Sequence, residues 1–469
     1  MYDIRKEITM RYEDLKYLSF PLPEAIVKEK WSGHFDVVRQ DINRLLSEDG
    51  ILPSLKTRLE LELNSLDHIQ SRYTISKDKA LELLRQRIPE ITPADLEQLR
   101  REDKADWMYL NGEIRYINNF HKTLFKVYPG VLEEMAHKKG VIFKEDDPAS
   151  SEREIISRVK DKDLMKAHIH IRHSLRLKDH AVRPGQKLHV HLPFPVERGS
   201  ISGLRLIDAS PELQKLPRRD SMQPTAYFEG TAFIGQEFYI EYEFDNSIIY
   251  RNMAGAAAQE GPMAYEDGQW LAEKPPHICF TPYLRVVCSQ IVGREKDPLR
   301  IARKIYDHIT TSVDYRFVRD YYSIDNISEY CAVNRKGDCG VQALLFITLC
   351  RMAGIPARWQ SGLDAKPEDV GEHDWAMFFA PGYGWRYADL SYGGAAFARG
   401  DKAGWDFFFG NVDPLRIPVN DDFQAGFEMP KKHWRADPYD NQGGEAEYDD
   451  RGLTAGEYIY DLEPVSITF

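Results

Sequence analysis

Ten residues from Val341 to Cys350, Val-Gln-Ala-Leu-Leu-Phe-Ile-Thr-Leu-Cys, are apolar except for Gln342 and Thr348. A helix this apolar has no face to give to water, so the chain must wrap a domain around it. Both ends of the run are marked. Gly354 suits a helix C-terminus, and Pro356 prevents continuation. At the other end, Lys-Gly-Asp-Cys-Gly puts Asp338 and Cys339 in the first turn. The unpaired amides and positive dipole end there favour a thiolate and can also donate to an oxyanion. A packing cysteine belongs deeper in the run, as Cys350 does, about three turns on. Cys339 is therefore the candidate nucleophile.

At 469 residues the chain exceeds one core, and the length suggests about three domains. With 42% apolar and 29% charged residues it reads as folded rather than disordered. A net charge of -12 argues against a general nucleic-acid or anionic-membrane binder. The N-terminus lacks the apolar core of a signal peptide and no window reaches a membrane span, so the expectation is a cytoplasmic chain. Five cysteines (Cys279, Cys288, Cys331, Cys339, Cys350) with no CxxC pair suit reduced thiols, not a disulfide framework or a structural zinc site. Cys288 and Cys350 read as packing residues. Cys331 reads as structural, with lining of the site as the alternative.

Periodicity divides the chain into a helical region over 1–150, an antiparallel β-sandwich over 160–255, a catalytic α+β domain over 275–400, and an extension over 401–469. In the first, Thr92 and Pro93 read as N-cap and first helical residue. The aromatic stretch 106–129 is suited to packing, and 146–154 reads as a linker. In the second, a turn near Arg183-Pro184 would pair His173 with His191. His168 and His170 share a face, as do His189 and His191, but solvated sheet faces explain them better than a metal site does. Residues 251–275 read as loop, followed by a helix capped by Asp297. The acidic tail after 430 reads as solvated surface wrapping without a spaced calcium loop.

A thiolate needs a base and an orienter. His-Asp-Trp-Ala-Met-Phe-Phe-Ala from His373 and Gly-Trp-Arg-Tyr-Ala-Asp-Leu-Ser-Tyr from Gly384 read as strands around a Pro-Gly-Tyr-Gly turn. A hairpin centred near Pro381 or Gly382 puts His373 opposite or diagonal to Asp389, on one face. Asp374 alternates to the other face, which makes Asp389 the better orienter. Trp375 shares the parity of His373 and either shields the imidazole or fills core.

The order Gly-Asp-Cys, Gly-Ile-Pro-Ala-Arg, His-Asp-Trp, Ala-Asp-Leu-Ser-Tyr-Gly resembles the core of the transglutaminase-like superfamily, a relative of the papain-like fold. The resemblance covers roughly 280–395 and is nearest to bacterial transglutaminase-like cysteine proteases, in which a β-sandwich often precedes the core. It implies a triad of Cys339, His373 and Asp389, and acyl transfer from an amide through a thioester. Water as acceptor makes a peptidase or amidase; an amine makes a protein-glutamine transglutaminase. Nothing marks a second, amine-binding site, so hydrolysis is favoured. The calcium-responsive extension and second sandwich pair of the eukaryotic cross-linking enzymes are not visible either. A non-catalytic binding module is the contrasting class, and the intact triad argues against it. The implied substrate is a peptide or protein, a cell-wall peptide among them. No cofactor, metal, nucleic acid or membrane is implied, and the family's side-chain oxyanion donor upstream of the cysteine has no assignable counterpart.

Overall fold

The computed structural model describes residues 12–140, 149–253, 255–258, 268–367 and 369–469. The chain divides into two compact units. One is built mainly from Asp14–Ala149 with Tyr315–Asp325, the other from Ser150–Asp314 with Asn326–Phe469.

The first unit is mostly helical, from Glu24–Trp31 to Pro129–Lys138. Its core includes Val38, Ile42, Leu59, Leu66, Ile69, Leu84, Leu96 and Leu99. Thr92 caps the Pro93–Arg101 helix in a reciprocal box with Asp95. Inside the aromatic stretch lies a β-hairpin, Trp107–Leu110 against Glu113–Tyr116. Asn111 and Gly112 turn it with φ of 49° and 86°, the left-handed pair that a tight hairpin demands. Tyr315–Asp325, placed by the sequence within the catalytic domain, belongs to this unit, where Tyr322 is buried with its ring 4.6 Å from that of His68.

In the second unit the linker expected over 146–154 is partly helix, Ala149–Lys162, while 146–148 lie outside the described residues. Of the loop expected over 251–275, positions 254 and 259–267 also lie outside them, and Gly268–Leu271 forms a 3-10 turn. Two four-stranded antiparallel sheets follow, and their inward residues share one core. The expected pairing of His173 with His191 does not occur. Leu164–Leu177 pairs with Glu237–Ile249 and Tyr458–Thr468, whereas Lys187–Pro193 pairs with Thr225–Thr231 and Glu445–Tyr448. The connection between them, with its own turn at Asp179–Ala181, is long enough to cross from one sheet to the other. His168 and His170 instead meet Asp245 and Glu241 at 3.0 and 2.7 Å. The extension expected to lie on the surface thus supplies a strand to each sheet.

The central helix is Cys339–Met352, and every residue from Gly340 to Arg351 is buried. It packs against a five-stranded sheet whose order is Phe409–Gly410, Gly384–Ala388, Val370–Ala380, Ala357–Ala365, Arg416–Asn420. Asp297 caps the helix Pro298–Ser312 through the amides of Leu299 and Arg300. Among the described residues no helix is long and apolar enough to cross a membrane.

At Gly362 the Arg416–Asn420 strand comes so close that an added Cβ would lie 1.9 Å from the Ile417 carbonyl oxygen. Gly371, in the neighbouring strand, has nothing within 4 Å of its Cβ position. Gly362→Ala should therefore cost about 3 kcal/mol of stability. Gly371→Ala should leave it nearly unchanged, and thermal unfolding of the two variants checks the contrast.

Candidate active site

Asp338 is the N-cap of the central helix, its Oδ1 accepting from the Val341 amide at 3.1 Å. Cys339 follows as the first helical residue. Its Sγ lies 3.3 Å from Asp374 Oδ2, in hydrogen-bond contact. The residue keeps partial exposure, but its sulfur is desolvated. Burial, with the acidic side chains of Asp374 and Asp338 beside it, pushes the thiol well above its ordinary range. The lowering expected from the helix start does not survive. The dipole supplies about half a charge, and loss of water around the sulfur in this acidic setting outweighs it.

His373 and Asp374 are neighbours on Val370–Ala380, where Gly362 faces His373 and Ser361 faces Asp374. The strand turns back so that Ala376 faces Ala388 and Phe378 faces Arg386, which sets Asp389 diagonal to His373. His373 Nε2 is 2.8 Å from Asp389 Oδ2, with His373 at 5% and Asp389 at 0% exposure. This leaves Nδ1 as the nitrogen free of the carboxylate.

Asp389 is not itself in a strand, as the sequence reading had it. The strand ends at Ala388, and Asp389 caps the helix Leu390–Ala398 through the Tyr392 amide at 3.2 Å. An aspartate before Leu-Ser-Tyr is a strong helix start, and that local preference wins. Arg416 Nε lies 3.6 Å from Asp389 Oδ2, and the same guanidinium meets Asp364 and Asp413 and stacks 4.0 Å from the Tyr392 ring centre. Burial alone would raise the Asp389 carboxyl, but His373 and Arg416 together hold it below the usual range. Trp375 fills core: it is fully buried, its ring centre is 5.8 Å from that of His373, and Nε1 donates to Gln360 Oε1 at 2.8 Å.

The sequence-predicted residues are thus joined in part. His373 and Asp389 pair, while the hydrogen bond of Cys339 goes to Asp374. Three neighbours escaped the sequence reading. Arg416 is one. Gln442 is the second, its Nε2 lying 2.8 Å from Gly362 O, 2.9 Å from His373 O and 3.1 Å from Asp374 Oδ1. Asp440 is the third, accepting from Ser361 Oγ at 2.7 Å. The segment 437–442 is therefore not solvated wrapping. Tyr439, Asp440 and Asn441 are buried, and Asp437 caps the amides of Tyr439 and Asp440. The signal was present in Asp-Pro-Tyr-Asp-Asn, a turn-forming run with an aromatic at its centre. Cys288, Cys331 and Cys350 are all buried.

Residues 285–390 match the transglutaminase-like superfamily. The site is carried by a transglutaminase-like core. No curated protein matches the chain. Among solved structures, a candidate cysteine protease from Cytophaga hutchinsonii is 15% identical, with 65% of this chain and 92% of that one covered and a TM-score of 0.42. The periplasmic domain of TgpA from Pseudomonas aeruginosa is 12% identical, with 54% of this chain and 96% of that one covered and a TM-score of 0.29. The transglutaminase-like core supports a cysteine-dependent activity in general.

Two outcomes follow from the charges around this transglutaminase-like core. Removing Arg416 leaves Asp364, Asp389 and Asp413 facing one another in a buried space, so Arg416→Ala should cost about 3–5 kcal/mol in denaturant unfolding. Burial also raises the carboxyl of Asp440 to about 7. The folded state then holds a proton that the unfolded state releases near the ordinary value of 3.8, so this part of the stability is full below about pH 4 and fades as pH rises through 7. Asp440→Asn should flatten that decline, which unfolding curves from pH 4 to 8 would reveal.

Proposed function

We propose that the chain is a cysteine peptidase or amidase that cleaves an amide through a thioester on Cys339. The observation that carries this is the buried His373–Asp389 pair at 2.8 Å, on the strand whose next residue, Asp374, touches the Cys339 sulfur at the start of the central helix. With Nε2 committed to Asp389, Nδ1 is the base. In the reacting arrangement the thiol turns toward it and gives up its proton. The sulfur adds to the amide carbonyl, and the imidazolium then protonates the leaving amine. Asp389 fixes the tautomer and stabilises the imidazolium, and its own rigid setting, between a helix N-terminus and Arg416, suits an orienter. Water, activated by the neutral imidazole, next attacks the thioester and releases the acid. Amides at the helix start can donate to the oxyanion.

Peptides or proteins are the proposed substrates, and hydrolysis is favoured over transfer to an amine because no second amine-binding site is marked in the sequence. In an acceptor assay, a peptide library is incubated in isotopically labelled water with and without added amine, and the products are weighed by mass spectrometry. Label in new carboxyl termini supports hydrolysis. Amine adducts in its place would make the chain a transglutaminase. Cys339→Ala should abolish turnover, and Asp389→Asn should lower kcat by about 10²–10⁴-fold while the fold persists. Product formation by Cys339→Ala at the wild-type rate would reject the whole reading.

A further inference from the structure

We propose that Asp374 is a further catalytic residue: a neutral carboxyl whose Oδ2–H faces the Cys339 sulfur and donates to the oxyanion formed when that sulfur adds to a carbonyl. The inference rests on the acyl-transfer reading and supplies the side-chain donor that the sequence upstream of the cysteine does not offer.

Alternation along the strand sends His373 and Asp374 to opposite sides, and the carboxyl is the one that touches the thiol at the helix start. Gln442 decides which oxygen of Asp374 faces the chemistry. Its amide nitrogen lies 3.1 Å from Oδ1 and donates to it, so a proton on this carboxyl resides on Oδ2, 3.3 Å from Sγ. At rest the thiol donates to Oδ2, and when the S–H turns to the base the Oδ2–H is left to face the sulfur. The surroundings favour that neutral form. Asp338 at the helix start, Asp440 on the C-terminal segment and Glu372 on the same strand all face Asp374, together with Cys339 and Gln442. Burial and these like charges push the Asp374 carboxyl well above the usual range. A carboxylic acid kept neutral in such a setting is an effective oxyanion donor.

The proton count closes. The thiol proton passes to His373 Nδ1, the S–C bond forms, and the carbonyl π pair moves onto oxygen. Asp374 donates a hydrogen bond to that oxygen and keeps its own proton. On collapse the C–N bond breaks, and the amine leaves with the proton from His373. The oxygen of the adduct is attached to the carbon that bears the sulfur, so a donor touching the sulfur is within its reach.

Acylation of the full chain by 4-nitrophenyl acetate isolates this role, because its leaving group needs no proton. Nitrophenolate release is followed together with the mass of the acetylated Cys339 peptide. Asp374→Ala should slow acylation by about 10²–10³-fold. Asp374→Asn, which can still turn an N–H toward the sulfur, should keep at least about a tenth of the wild-type rate. The wild-type to Asp374→Asn ratio should fall as pH rises, since only the wild type loses its donor by ionisation. Asp374→Ala within threefold of wild type, or Asp374→Asn as slow as Asp374→Ala, would overturn the proposal. If Asp374→Ala does not fold, the ratio decides alone: a decline supports the proposal and a flat ratio overturns it. Acetylation that persists in Cys339→Ala, or a wild-type chain that is never acetylated at Cys339, rejects the acyl-transfer reading itself. Normal Cys339-dependent acylation in Asp374→Ala rejects only the role given to Asp374.

Discussion

The buried guanidinium of Arg416 is the interaction on which the site's geometry depends. One cation meets Asp364, Asp389 and Asp413 and lies against the ring of Tyr392, whose hydroxyl donates to Asp364. These groups come from the Ala357–Ala365 strand, the cap of Leu390–Ala398 and the turn before Arg416–Asn420, so a single charge fixes three segments in register. A positive centre shared this way is stable only while every partner is present, because the desolvation of each ion is offset by the others. Asp389 reaches His373 from inside that arrangement. The orientation of the imidazole is in this sense set from the edge strand of the sheet.

The opposite charge regime governs the thiol. Asp374 and Asp338 lie beside Cys339, Asp440 lies behind Asp374, and burial pushes the carboxyls of Asp374 and Asp440 upward. The two halves of the site are therefore held apart electrostatically. On the histidine side His373 and Arg416 hold the Asp389 carboxyl below its usual range; on the cysteine side burial raises the thiol and the carboxyls of Asp374 and Asp440. In the proposed reaction, the proton passing from Cys339 to His373 leaves the side whose groups are raised for the side where a lowered carboxyl meets the resulting cation.

What the sequence made legible was local or periodic. The central helix could be read because its apolar run needs no partner to declare itself, and the His373–Asp389 pairing because alternation and a short turn fix strand parity. Asn111-Gly112 was equally legible as a hairpin, but the dense aromatics around it suggested packing. Long-range matters were not legible. The perturbation of Cys339 comes from a strand 35 residues away. The tail looked solvated because composition cannot tell a carboxyl in water from one buried against the hydroxyl of a strand residue, as Asp440 is against Ser361. Strand exchange between the two sheets was hidden because a nine-residue connection permits either a hairpin or a crossing.

The tail's role also orders the synthesis of the molecule. Gln442 lies 68 residues beyond the Asp374 it contacts, and the Tyr458–Thr468 strand closes onto Leu164–Leu177 from the opposite end of the second unit. A ribosome therefore releases the thiol well before the groups that surround it. Pairings of such wide separation form slowly, after local helices. During that interval the nascent chain carries Cys339 without Asp440 or Gln442, and the finished electrostatic setting of the thiol arises only when the last strand has docked. Translation that stops short would leave a chain with its nucleophile present and its surroundings unfinished.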